Sequence, residues 1–204
     1  MKILNLEQNT DAWLEARKGK ITGSKLKDIV VKRGTGRKLG FYELLADRLS
    51  VGADEEDVME RGHRLEKEAL EAFSSVTGLS VEQVGLCISD ENENIALSPD
   101  GLIKVGKKYT GAVEVKCLSA SRHLQAYFEK EIPDEYEFQK LQYFIVNPDL
   151  EKLYFCFYDP RVTVKPFFFL EVTREQVAED VETYLEYQKN VLAEVDLLLA
   201  EIAF

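Results

Sequence analysis

The sequence predicts an α/β (α+β) fold, a central mixed β-sheet flanked by helices, and three observations carry that expectation. Apolar residues recur at helical spacing between residues 65 and 76 and again after residue 177. Between these stretches the period drops to two, and Ala112-Val-Glu-Val-Lys-Cys117 alternates strictly. The 204 residues suit one domain, for which ~100–200 is usual, and no Pro/Gly/Ser-rich linker or internal repeat divides them. One unit over 1–204 is expected, built as helices, a strand meander, two helices, strands and a last helix.

Each element has a local reason. Asp11 is placed to cap a short helix through Arg17, and Ser24 to cap one through about Val31. The glycine-broken stretch Arg33-Gly34-Thr35-Gly36 then precedes a helical pattern from Phe41 to Leu49. From Val58 to Val76 the residues Leu65, Ala69, Leu70, Phe73 and Val76 line one helical face until Gly78 ends it. Strands are expected at about 81–88, 94–98, 101–104 and 111–117, and helices at about 121–130 and 134–146. Residues 152–158 and 164–172, rich in aromatic and β-branched side chains, read as strands. Thr173-Arg-Glu-Gln176 fits a capping box, and Val177, Val181, Tyr184, Val191, Val195, Leu198 and Ile202 continue as a long helix.

Composition narrows the function classes. Apolar residues make up 45% and charged residues 31% of the chain, a globular profile that excludes disordered, collagen-like and coiled-coil readings. No apolar run approaches the ~18 residues of a membrane helix, and the first residues lack a signal-peptide core, so a cytoplasmic location with no membrane partner is expected. Three scattered cysteines, Cys87, Cys117 and Cys156, make neither a disulfide framework nor a zinc site. Cys117 and Cys156 read as inward core thiols, Trp13 as a packing anchor, and the two histidines, His63 and His123, are too far apart in sequence to suggest a His-based site.

A net charge of −11 argues against a nucleic-acid partner, but its distribution does not. Between Arg17 and Lys38 there are nine basic residues and one acid, leaving 17 basic and 36 acidic residues elsewhere. The helical segment 11–50 is thus either a DNA-contacting surface on an anion-repelling body or a solvated basic loop.

Strand alternation places Glu114 and Lys116 on one face of a strand, with Val113 and Val115 on the other. Fourteen residues before Glu114, Ser98-Pro99-Asp100-Gly101 sets an acid in a tight turn at a strand end. Two carboxylates and a lysine without nearby His or Cys suit Mg²⁺, or Mn²⁺ in its place, better than Zn²⁺. Upstream, Gly62-His-Arg-Leu-Glu66 offers a further carboxylate one helical turn beyond a glycine. Taken singly, each piece is an ordinary turn, sheet-face or surface residue.

Together, Gly62-x-x-x-Glu66, Ser98-Pro99-Asp100-Gly101, Glu114-Val115-Lys116-Cys117 and Gln139 resemble the lambda-exonuclease (YqaJ-type viral recombinase) branch of the PD-(D/E)xK nuclease superfamily. The resemblance extends through Trp13-x-x-x-Arg17-x-Gly19-x-Ile21-Thr22-x-Ser24, Ser121-Arg122, Tyr158-Asp159-Pro160-Arg161 and the tail Ala200–Phe204. It implies a restriction-endonuclease-like core and a Mg²⁺-dependent 5′→3′ exonuclease acting on double-stranded DNA ends. A homotrimeric ring that hands 3′-ended single strands to a single-strand annealing protein is implied too, with a phage or prophage source suspected.

By the same resemblance Asp100, Glu114 and the Val115 carbonyl would hold metal, Glu66 would support a second ion, and Lys116 would act on the water or the transition state. Gln139 would sit beside the scissile phosphate, and Arg17, Ser24, Ser98 and Arg122 would contact DNA, the first three at a 5′-phosphate pocket. The family's Gln-x-Gln is altered here, the second glutamine being Gln142. Two alternatives stay open: an endonuclease or repair nuclease of the same superfamily, or a DNA-binding or scaffold protein without activity. An iron–sulfur variant would need four cysteine ligands, and the chain has three.

Overall fold

Among the described residues two sheets form where one was expected. The computed structural model describes residues 1–31, 37–38, 40–41, 44, 59–118 and 120–202. Most of the helix expected over 41–49, the glycine stretch 33–36 and the last residues Ala203 and Phe204 lie outside them, as do the side chains of Gly62, His63 and Ser121. In chain order the elements are β1 (Lys2–Leu4), α1 (Asp11–Arg17), α2 (Gly23–Ile29), α3 (Met59–Thr77), β2 (Leu86–Ile88), β3 (Ala96–Leu97), β4 (Gly101–Val105), β5 (Lys108–Lys116), α4 (Ala120–Glu129), α5 (Glu137–Val146), β6 (Lys152–Tyr158), β7 (Phe167–Thr173) and α6 (Arg174–Ile202).

The larger sheet runs β4-β5-β6-β7, with β5 and β6 parallel and the outer pairs antiparallel. Its parallel pair is joined by α4 and α5, because a parallel connection must cross from one end of the sheet to the other. The smaller sheet, β1-β2-β3, is antiparallel and includes a first strand that the sequence pattern did not suggest. Of the run expected at 81–88, only β2 enters a ladder; Glu82 instead bridges to Leu102.

Helices cover both faces of the mixed sheet. On one side Ala112, Leu153, Phe155, Phe157, Phe168 and Val172 pack with α5 and α6; on the other Ile103, Val113, Val115 and Cys156 meet Ala69, Leu70 and Phe73 of α3. A strand buried on both faces should be nearly all apolar, and the buried stretch of β5, Gly111 to Val115, is so except at Glu114, which is 1% exposed.

The helix starts shift by a residue or two from expectation. Thr10, rather than Asp11, caps α1, its hydroxyl accepting from the Trp13 amide, and Thr22 stands at the cap of α2 with Ser24 in the first turn. At α6 the Gln176 side chain accepts from the Thr173 amide at 2.8 Å, one arm of the expected capping box. Cys156 is a core thiol, but Cys117 is exposed: β5 ends at Lys116, and the alternation that would have turned Cys117 inward ends with it.

Candidate active site

The turn before β4 and the end of β5 bring Asp100, Glu114 and Lys116 together. On the β4 side the ladder stops at Gly101↔Val113, and the Asp100 carboxylate takes over by accepting from the Val115 amide at 2.7 Å. Lys116 Nζ lies 2.5 Å from Glu114 Oε1, so the two side chains that alternation placed on one face are an ion pair. Burial and the charges of Glu114 and Glu66 hold the Asp100 carboxyl well above the usual range, against the opposing pull of Lys116 and the Val115 amide. Burial works against the charged form of Lys116, yet Glu114 and Asp100 outweigh it and its pKa rises.

Helix α5 lies across this end of β5 and supplies two donors to Glu114. Gln139 Nε2 donates to Oε1, and one turn later the Tyr143 hydroxyl donates to Oε2. Tyr143 was missed by the sequence reading. Its signal was there: it lies four residues after Gln139 on the same helical face, where a buried hydroxyl needs a partner. The ring of Tyr136 lies under the Lys116 ammonium, 4.7 Å from centroid to Nζ, and packs on Phe155.

A second cluster forms two residues before Asp100. Arg17, from the end of α1, donates to the Ser98 hydroxyl and reaches Thr22 Oγ1 and Ser24 Oγ, both at 3.5 Å. Its guanidinium stacks 4.3 Å from the centroid of buried Trp13, whose indole N–H donates to the Gly85 carbonyl at 3.1 Å. Trp13 is therefore the packing anchor expected, and also the platform for Arg17. Burial pulls the Arg17 pKa down to about 10, partly offset by Glu114. The cluster joins the site through α5. Gln142, fully buried, donates to the carbonyls of Ile21 and Ala96 and is paired with Gln188 of α6. Gly23 lets α2 approach closely, since a Cβ there would lie 3.2 Å from Gln139 Cγ. Gln142 is thus a strut between the two clusters.

Other expected site residues stand apart. Among the described residues no three Asp, Glu, His or Cys side chains close on one point as a ready metal cage. Asp100 and Glu114, with the Val115 backbone between Glu114 and Lys116, are the donor set at hand, and carboxylate and carbonyl oxygens are the donor type that a hard cation takes. Glu66 acts on Asp100 by charge and lines a cleft with Gln8, Gln83 and Gly85. Arg122 gives both arms of its guanidinium to Glu135, at 3.0 and 2.8 Å, and no described contact joins it to the Arg17 cluster. His123 is buried against Phe168 and bonded to the Lys165 carbonyl.

Residues 12–147 match the YqaJ-like viral recombinase domain. The chain belongs to that family. Family membership covers α1 through α5, and so both clusters. Solved structures extend the likeness to nearly the whole chain. The alkaline exonuclease LHK-Exo from Laribacter hongkongensis is 27% identical, with a TM-score of 0.79, over 95% of this chain and 98% of that one. The same exonuclease in complex with dAMP gives a TM-score of 0.78 at equal identity and coverage. A phage-related exonuclease from Haemophilus somnus 129PT shares the fold at 14% identity, with a TM-score of 0.58 over 90% of this chain and 96% of that one. No curated protein matches. The mixed sheet and its flanking helices are those of a lambda-exonuclease-like nuclease, as the sequence motifs implied. Among the described residues no helix is long and apolar enough to cross a membrane.

Proposed function

We propose that this YqaJ-family chain is a Mg²⁺-dependent exonuclease that degrades one strand of linear double-stranded DNA from its 5′ end and releases 5′-phosphomononucleotides. One observation carries the proposal: an acidic centre and a basic cluster of an arginine among hydroxyls are built on the same turn, at Asp100 and Ser98. Likeness to an exonuclease solved with a nucleoside monophosphate supports it.

Asp100, Glu114 and the Val115 carbonyl would hold the ion, Mn²⁺ serving in place of Mg²⁺, with Glu66 adding negative charge from α3. When bound, the ion supplies Lewis acidity at the phosphoryl group and to the attacking water. Lys116 would orient that water and offset charge developing on the phosphate, and Gln139 would donate to the scissile phosphate. Arg17 would pair with the terminal 5′-phosphate while Thr22, Ser24 and Ser98 turn their hydroxyl protons toward its oxygens. The hydroxyls now accept from Arg17, and Thr22 and Ser24 share a further hydrogen bond at 3.4 Å that would open as their O–H groups swing to an anion. Holding the end two residues from the metal centre gives the reaction its direction, because each cut presents the next nucleotide.

A chain of net −11 that must accept DNA gains from gathering its basic segment on a shared concave surface, which supports a homotrimeric ring of about 70 kDa, three times the 23.3 kDa chain. Membership of a viral recombinase family supports a phage or prophage source, action in the host cytoplasm and transfer of the 3′-ended strand to a single-strand annealing protein. The deciding experiment follows label release from linear duplexes labelled at either end, beside a closed circular plasmid. Mg²⁺-dependent release from the 5′ end with the circle intact is expected; nicked circles point to an endonuclease, and no Mg²⁺-dependent loss to a binding protein.

A further inference from the structure

The Glu114 carboxylate is cut off from solvent, so its orientation is set by its hydrogen-bond donors. Three reach it. Lys116 Nζ and Gln139 Nε2 both donate to Oε1, and the Tyr143 hydroxyl alone of the described donors goes to Oε2. A carboxylate oxygen has about two acceptor directions, so Oε1 is filled by its pair while Oε2 keeps one direction for a further partner.

The donors also differ in how firmly they are placed. Lys116 sits on a four-carbon stem and keeps some exposure. Tyr143 is 1% exposed, has two side-chain torsions, and is tied to the backbone on both sides of the site. Its oxygen accepts from the Asp100 amide at 3.4 Å and lies 3.2 Å from the Val113 carbonyl. One hydroxyl thus touches the residue bearing one carboxylate and the side chain of the other.

We infer that Tyr143 is a positioning residue: it fixes Glu114 through Oε2 and the Asp100 backbone through its amide, so that both carboxylates present their remaining acceptor directions to one cation. Lys116 and Gln139 are the exchangeable partners, whose hold on Oε1 can be given up to the ion and turned to substrate. The inference rests on the reading of Asp100 and Glu114 as metal ligands.

Mn²⁺ binding to the full chain without DNA, followed by the electron paramagnetic resonance of free Mn²⁺, tests it. Tyr143→Phe keeps the ring and removes only the hydroxyl, and is expected to weaken Mn²⁺ about 10–100-fold, the usual effect of losing a group that orients a ligand. Gln139→Leu is expected to leave the affinity within about threefold, and Glu114→Gln to lose the site. Wild-type affinity in Tyr143→Phe, with the site lost in Glu114→Gln, overturns the role of Tyr143 alone. Wild-type affinity in Glu114→Gln overturns the metal reading and this inference with it. A measurement on wild type covers a Tyr143→Phe chain that does not fold. On titration with Mg²⁺, the Gln139 side-chain amide resonances are expected to move while the resonance of the buried Tyr143 hydroxyl proton stays; loss of that proton signal on adding Mg²⁺ overturns the inference.

Discussion

The two clusters on the Ser98–Asp100 turn have opposite electrostatic deficits. At Asp100 and Glu114, buried negative charge exceeds what Lys116 supplies, and the excess shows as a carboxyl held well above its ordinary range. At Arg17 a buried positive charge is surrounded by neutral hydroxyls, and the deficit shows as a guanidinium drawn down to about 10. A cation would relieve the first and an anion the second, which are the two charges that the proposed metal ion and terminal phosphate would bring.

The largest expected effect comes from breaking the acidic member. Asp100→Asn should abolish cleavage while leaving duplex binding near wild type. Lys116→Ala should cost about 10²–10³ in rate, as for loss of one transition-state donor. Single-turnover kinetics on linear duplex check both.

Breaking the basic member should cost less and change selectivity. Arg17→Ala removes a charge-assisted contact of about 1.5–3 kcal/mol, hence roughly 10–100-fold in the preference for 5′-phosphate over 5′-hydroxyl ends. Initial rates on the two kinds of end, for wild type and Arg17→Ala, measure this.

Stability sharpens the contrast further. Because the folded-state pKa of Asp100 is raised, its protonated form favours the fold below the ordinary Asp value of ~3.9, and that contribution is lost as pH rises through the raised value. Bound Mg²⁺ needs the deprotonated form, so the stabilisation it adds should grow across the same window, reaching about 2.7 kcal/mol at ~100 times its Kd. Melting curves with Mg²⁺ and with chelator should diverge as pH rises, and Asp100→Asn should remove the divergence.

The smallest effect is expected at Arg122. It belongs to neither cluster by described contact and forms an exposed pair with Glu135, so Arg122→Ala should change cleavage rate within about fivefold. A loss as large as that of Arg17→Ala would add Arg122 to the pocket and erase the distinction drawn above.

Several features were legible because they depend on neighbours along the chain. Alternation at 112–116 placed Glu114 beside Lys116, the capping residues fell within two positions of the observed helix starts, and β6 was bounded at 152 and 158 as expected. Cys117 was misread because the pattern does not say where a strand ends. The split of the strands into two sheets was not legible either, since a run such as 81–88 reads alike whether it ladders throughout or only at 86–88.

By itself the sequence determined the mixed α/β class, the residue types of the site and the side of β5 on which Glu114 and Lys116 stand. These follow from the two- and 3.6-residue periods of the backbone, which are local properties. Only the tertiary structure decided that Tyr143, 29 residues from Glu114, closes on its carboxylate, and that Arg17 meets Ser98 across 81 residues and turns to hydroxyls instead of a nearby acid. Those meetings depend on how α5 lies across β5 and how α1 docks against β2, and packing between distant segments sets both. No spacing within one element encodes them.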